Sequence, residues 1–162
     1  MLSETPNGEI GENRQGMQQS IQSSLSHLLR RASQMADDLF SSEAENDEVT
    51  PRQFTVLSAI SADEGLSQKG IVAVTGIDRS TIADIVRRLM DKGMISRRRA
   101  KQDARAYEVM LTAKGRLMLA SAYRFAAAAD ARLAAKMTDR QRDDLLRLLE
   151  VIARPTTEVV DR

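Results

Sequence analysis

Apolar positions recur with two different periods along the chain. From residue 17 to 40, Ile21, Leu25, Leu28, Ala32, Met35 and Leu39 fall three or four apart, which predicts one long amphipathic helix. An acidic, polar stretch over 41–49 then reads as a loop. Thr50-Pro51-Arg52-Gln53 opens the next helix: Thr is a good N-cap, Pro suits the first helical position, and Gln three residues on can close a capping box. Phe54, Leu57 and Ile60 continue inward until Asp63-Glu64-Gly65. Ser67 caps a short third helix with apolar Ile71, Val72 and Val74, and Gly76 supplies the left-handed residue that ends it. Asp78 caps a fourth, whose apolar set of Ile82, Ile85, Val86, Leu89 and Met90 lines one face as far as Gly93.

The pattern then shortens. Ile95 to Arg99 and Tyr107 to Leu111 read as two strands joined by a loop over 100–106. Thr112 caps a long Ala-rich helix carrying Leu117, Tyr123, Phe125 and Leu133 and reaching about Met137. Thr138 with Gln141 repeats the capping box, and Leu145, Leu148, Leu149 and Ile152 make a last stripe, stopped by Arg154-Pro155. The expected fold is mainly α with a small β-hairpin wing: a winged helix-turn-helix over about 50–111, with long helices over about 17–42 and 112–154. These form one domain over 17–154, between a tail over 1–16, expected to be mobile, and a short tail over 155–162.

Charge changes this picture more than composition does. The formal net charge is only +1. Yet Gly76 to Tyr107 holds nine Lys or Arg against four Asp, a surplus of five that the rest of the chain offsets. The basic residues concentrate on one face of the fourth helix and on the hairpin, as a reader of nucleic acid requires. On the helix, Arg79, Ser80, Thr81 and Asp84 lie near the N-terminal end, within reach of base edges in a major groove. Arg87 and Arg88 are expected to meet phosphate or packing partners. Asp84 either accepts from a cytosine N4 amine or pairs with Arg88 one turn on, and the second is preferred. Ser67 and Gln68, at the start of the third helix, join the candidate contacts. Arg97, Arg99, Lys101, Asp103 and Arg105 belong to the hairpin, with Arg105 assigned to the minor groove.

Little else competes. The chain has no Cys and one His, so disulfides, thiolate metal sites and a Cys-His nucleophile are excluded. No G-x-S-x-G and no phosphate-binding Gly loop is present, so an enzyme is not expected, nor a metal or cofactor. No apolar run approaches membrane length and no signal-peptide pattern opens the chain, so a cytoplasmic placement is expected. The long helices carry more apolar surface than a small winged domain covers. They form either a bundle within one chain or an interface between chains. A symmetric homodimer on a pseudo-palindromic duplex is the more economical reading. The alternative function is a helical interaction protein without sequence-specific DNA binding, which leaves the basic hairpin unexplained.

The segment from Gly93 to Gly115 resembles the wing of the MarR family of bacterial transcription regulators. The shared features are Gly93-Met94, Arg97-Arg98, Asp103-x-Arg105, and Leu111-Thr112 with Gly115, in ungapped spacing. Upstream, TPRQFTVLSAI resembles the family's second helix, and the likeness extends over roughly Met17 to Ile152. Ala104 departs from a frequent basic residue and Ala100 from a frequent acidic one. The resemblance implies a homodimer joined through its first, fifth and sixth helices, and a repressor released by a small aromatic or lipophilic anion. It also implies that Asp103 positions the wing arginines. The implied effector pocket lies where the DNA-reading part meets the dimerisation helices, with His27, Arg31 and Phe54 as candidate lining residues.

Overall fold

A computed structural model describes residues 21–44, 49–99 and 107–154. In chain order these form α1 (Leu25–Glu43), α2 (Pro51–Ala62), α3 (Gln68–Thr75), α4 (Arg79–Asp91), the strands β1 (Ile95–Arg99) and β2 (Tyr107–Leu111), then α5 (Ala113–Ala134) and α6 (Asp139–Ala153). The chain divides into two compact units between Asp38 and Leu39, within α1.

The first helix differs from its sequence reading. The apolar period crosses Ser23 and Ser24 without a break, but the helix does not. Ser24 donates its hydroxyl to the Ile21 carbonyl at 2.9 Å and accepts the His27 N–H at 3.4 Å. Such local bonds let serine compete with helical backbone pairing. α1 therefore begins at Leu25, and it continues to Glu43, beyond the expected end near 40–42. Residues 17–20, and both tails, lie outside the described residues.

The winged core follows from its caps. Thr50 accepts from Gln53 N and the Gln53 side chain returns to Thr50 N, closing the expected box at the start of α2. Gln53 is buried, and its Oε1 also accepts from Lys92 Nζ at 3.4 Å, so a polar group inside the core is satisfied. Val56, Leu57 and Ile60 are wholly buried. Each such side chain contributes about 1.5–3 kcal/mol relative to exposure. The linker after α2 runs beside β2, with Gly65 N donating to Val109 O at 3.3 Å and Val109 N to Leu66 O at 2.9 Å. This pairing fixes the N-terminus of α3 against the hairpin. In α3, capped by Ser67, Ile71 is buried, while Val72 is half-buried and Val74 is exposed.

α4 buries Ile82, Ile85, Val86 and Leu89, whereas Met90, expected on the same face, is exposed. The helix closes with Gly93 at φ 68°, Gly93 N donating to Met90 O and Met94 N to Leu89 O. These are the two bonds of a Schellman ending. β1 and β2 pair antiparallel with Ile95 opposite Leu111 and Arg99 opposite Tyr107, over the residues expected. Thr112 then joins hairpin, α4 and α5. Its hydroxyl donates to Gly93 O at 2.8 Å and to Met94 O at 3.0 Å, and accepts from Gly115 N at 3.0 Å. Gly115 sits so close to Met94 that a Cβ there would overlap the Met94 carbonyl.

α5 buries Leu119, Ala122 and Ala129 but leaves Leu117 exposed, and it ends at Ala134, a few residues short of the expected Met137. α6 carries the expected Thr138–Gln141 box and buries no residue. Four of the five aromatic residues gather around Phe40. Phe54 lies 5.5 Å from it and Phe125 6.3 Å, with Tyr123 5.2 Å from Phe54, centroid to centroid. Among the described residues no helix is long and apolar enough to cross a membrane.

Candidate nucleic-acid interface

α4 is held from beneath by its four buried aliphatic residues, which turn its other face outward. Asp78 caps it. One carboxylate oxygen accepts from Thr81 N at 2.9 Å and from the Ser80 hydroxyl at 2.5 Å. Those bonds, Ser80 first, hold the Asp78 carboxyl well below the usual carboxylate range. The lowered value means that the charged cap is intact above about pH 4, the ordinary Asp value, and is lost only as pH falls further.

One turn on, Asp84 meets two arginines. Oδ1 accepts from Arg87 Nη2 at 2.6 Å and Oδ2 from Arg88 Nε at 2.7 Å. Arg87 also reaches Asp91 at 3.4 Å. The Arg87 hydrogen bond, with the charge and hydrogen bond of Arg88, holds the Asp84 carboxyl below its ordinary value. The preferred pairing of Asp84 with Arg88 is present, and Arg87 shares it. Arg79, at the helix start, is exposed and makes no ion pair among the described residues.

On the hairpin, the register places Arg97 and Arg99 on the face of Val109 and Tyr107, and Arg98 on the opposite face. Arg98 pairs with Glu108 at 2.8 Å, while Arg97 and Arg99 make no ion pair among the described residues. The same sheet face that supplies Val109 to the core thus presents arginine where it runs past the core. There a shallow cleft of about 230 Å³ opens, lined by Ser67, Gln68, Lys69, Arg97, Tyr107 and Val109. It brings the Ser67–Gln68 pair and Arg97 together. Lys69 and Tyr107 are not among the contacts expected from sequence. The only signal for Lys69 was its place two residues after the Ser67 cap, and Tyr107 read simply as a strand residue.

Lys101, Asp103 and Arg105 lie outside the described residues. Of the candidate effector residues, His27 is half-buried and Arg31 exposed on α1, one turn apart, and Phe54 belongs to the aromatic cluster. No group of three or more His, Asp or Glu among the described residues is arranged to hold a metal.

Comparison with known proteins places this geometry among relatives. The model of the MarR family matches residues 48–106. A proposed transcriptional regulatory protein for the hcr operon of Thauera aromatica is 32% identical over 110 residues, which span 68% of this chain and 66% of that protein. The structure of the transcriptional repressor CouR bound to a 23-mer DNA duplex superimposes with a TM-score of 0.74 at 32% identity, covering 94% of this chain and 100% of that one. A structure of Bordetella bronchiseptica BpsR, whose DNA binding is regulated by 6-hydroxynicotinic acid, superimposes with a TM-score of 0.77 at 25% identity, covering 83% of this chain and 96% of that one.

Proposed function

The chain belongs to the MarR family of transcription regulators, and we propose that it is a homodimeric, sequence-specific repressor of double-stranded DNA, acting in the cytoplasm and released by a small anionic effector. The observation that carries this reading is the pairing of a capped α4, one face buried and one polar, with an adjoining strand whose Arg97 and Arg99 make no ion pair among the described residues. The likeness to CouR on a duplex supports it. Arg79, Ser80 and Thr81 read base edges from α4. Ser67, Gln68, Arg97 and Arg99 approach the backbone, and Arg105, between the strands, enters the minor groove with Asp103 positioning it. A helical interaction protein has no use for such a surface, and the relatives are regulators rather than enzymes.

Dimerisation is supported by the exposed apolar residues of α6, with Leu148 62% and Val151 66% exposed. A two-fold protein presents two copies of α4, so the operator is pseudo-palindromic with half-sites about one helical turn apart. The regulation of BpsR by an aromatic acid supports an effector of that class.

The test is selection from a random duplex pool by the purified chain, then salt titration on the enriched duplex. Selection is expected to enrich a pseudo-palindrome. Arg105→Ala should weaken binding by roughly 1–3 kcal/mol per contact and reduce the slope of log affinity against log salt by about one per lost phosphate. Helicity and dimer mass should not change. Failure to enrich any sequence would overturn the DNA-reading function. Equal affinities and slopes would remove the wing from the contact.

A further inference from the structure

In its C-terminal half α4 carries two adjacent exposed arginines, and neither guanidinium is free. Both oxygens of Asp84 are engaged, one by Arg87 at 2.6 Å and one by Arg88 at 2.7 Å. Arg87 spans two carboxylates, since Asp91 lies 3.4 Å from its second nitrogen. These four side chains sum to zero charge over two turns. They are well exposed, with Arg87 and Arg88 about 60% exposed, so burial does not force the arrangement. The neighbouring hairpin is different in kind, since Arg97 and Arg99 have no acidic partner among the described residues.

An arginine on a DNA-facing helix has two possible anionic partners, its own carboxylates and phosphate. Any arginine that meets phosphate releases a counterion and binds every sequence alike. We propose that Asp84 is a positioning residue that withholds Arg87 and Arg88 from phosphate, so that the Asp84–Asp91 stretch of α4 meets DNA as a charge-neutral surface and sequence-independent attraction is left to Arg79 and the hairpin. The inference rests on the DNA-binding function proposed above. It assigns Asp84 to discrimination rather than affinity: the carboxylate acts through the arginines and does not itself touch a base.

Asp84→Asn removes the negative charge and keeps the size of the side chain. It is expected to raise affinity for a random-sequence 30-bp duplex. It should also steepen the salt dependence on that duplex by about 0.9 for each phosphate newly neutralised. The ratio of affinities for the wild-type-selected duplex and the random duplex should fall, since the random duplex gains more. Adding Arg87→Ala or Arg88→Ala to the Asp84→Asn chain should reverse the gain, a coupling that a simple change in fold would not produce. Asp84→Glu, which also reaches three and four residues on, should restore the wild-type ratio and slope. Weaker binding to the selected duplex with unchanged random binding would overturn the proposal and make Asp84 a direct base contact. So would unchanged slopes in Asp84→Asn. If the wild-type chain selects no sequence at all, the DNA-binding function itself fails, and that outcome is distinct from both.

Discussion

Helices α4 and α6 begin in the same way and end in opposite surroundings. Each has a side-chain cap, Asp78 in one and Thr138 in the other, and each carries an apolar stripe at three- and four-residue spacing. In α4 the stripe is covered, with Ile82, Val86 and Leu89 wholly buried. In α6 nothing is buried, and Leu145, Leu148, Val151 and Ile152 all lie between 41% and 66% exposed. The winged core is thus complete within one chain, while α6 is a surface still to be covered. An isolated helix of 15 residues is marginal in water, so α6 depends on what docks against its stripe. A second copy of the chain is the partner that the proposed function supplies. In that proposal the winged half makes the reading surface, and the terminal helix sets the spacing of two such surfaces.

The largest effect tests the self-sufficiency of the winged half. A side chain at Gly115 meets the Met94 backbone, with the carbonyl carbon 2.9 Å from the added Cβ. Backbone cannot swing aside as a flexible side chain can. Gly115→Val is therefore expected to cost more than about 4 kcal/mol, in the range reserved for lost core or backbone strain. Urea unfolding at several protein concentrations measures it. A variant with unchanged midpoint would show that α5 does not need this close approach to the hairpin.

The next pair compares two leucines. Leu57 is wholly buried in α2 and Leu148 is 62% exposed on α6. Leu57→Ala is expected to cost about 2–5 kcal/mol of unfolding free energy, as a core cavity does. Leu148→Glu should leave the winged core folded and weaken the dimer by at least about 1.4 kcal/mol, tenfold in Kd, because a charge would be buried in the interface. Sedimentation and circular dichroism on the same samples separate the two. Should Leu148→Glu keep wild-type dimer mass at micromolar concentration, α6 is not part of the interface.

What the sequence disclosed divides along the same line. Caps were legible because each rests on a few adjacent residues: Thr50 with Gln53, Ser67, Asp78, Thr138 with Gln141. The strands were legible because Gly93 and Thr112 bracket them and Arg99 and Tyr107 flank a loop. The break at Ser23–Ser24 was not, because the apolar period runs through it and only the hydroxyl geometry of Ser24 reveals it. Spacing alone places Met90 inward, and the buried stripe of α4 is one residue narrower than the pattern. The double engagement of Asp84 needs coordinates, since i+3 and i+4 are both possible and sequence does not say that both occur together. The cleft beside Lys69 and Tyr107 is wholly tertiary, made when Leu66 pairs with Val109.

The smallest effect is the most discriminating, because it places one motif in both regions. Thr50 and Thr138 close the same capping box, each accepting from the backbone of a glutamine three residues on at 3.3 Å. Replacing such a threonine by alanine costs about 0.5–2 kcal/mol. Thr50→Ala should lower unfolding stability at every protein concentration, because Gln53 is buried and also receives Lys92. Thr138→Ala should instead appear in the dimer. The cap stabilises α6 only to the extent that α6 is formed, and a helix of this length is marginal until it docks. Amide exchange over 139–142 should quicken, and Kd should rise by up to about tenfold for 1.4 kcal/mol. The decisive combination adds Thr138→Ala to Leu148→Glu. In that background, at a concentration where sedimentation shows the chain monomeric, the cap should have no measurable effect on unfolding. If it costs as much there as in the wild type, α6 is held by its own chain, and the contrast between a finished and an unfinished half of the molecule is wrong.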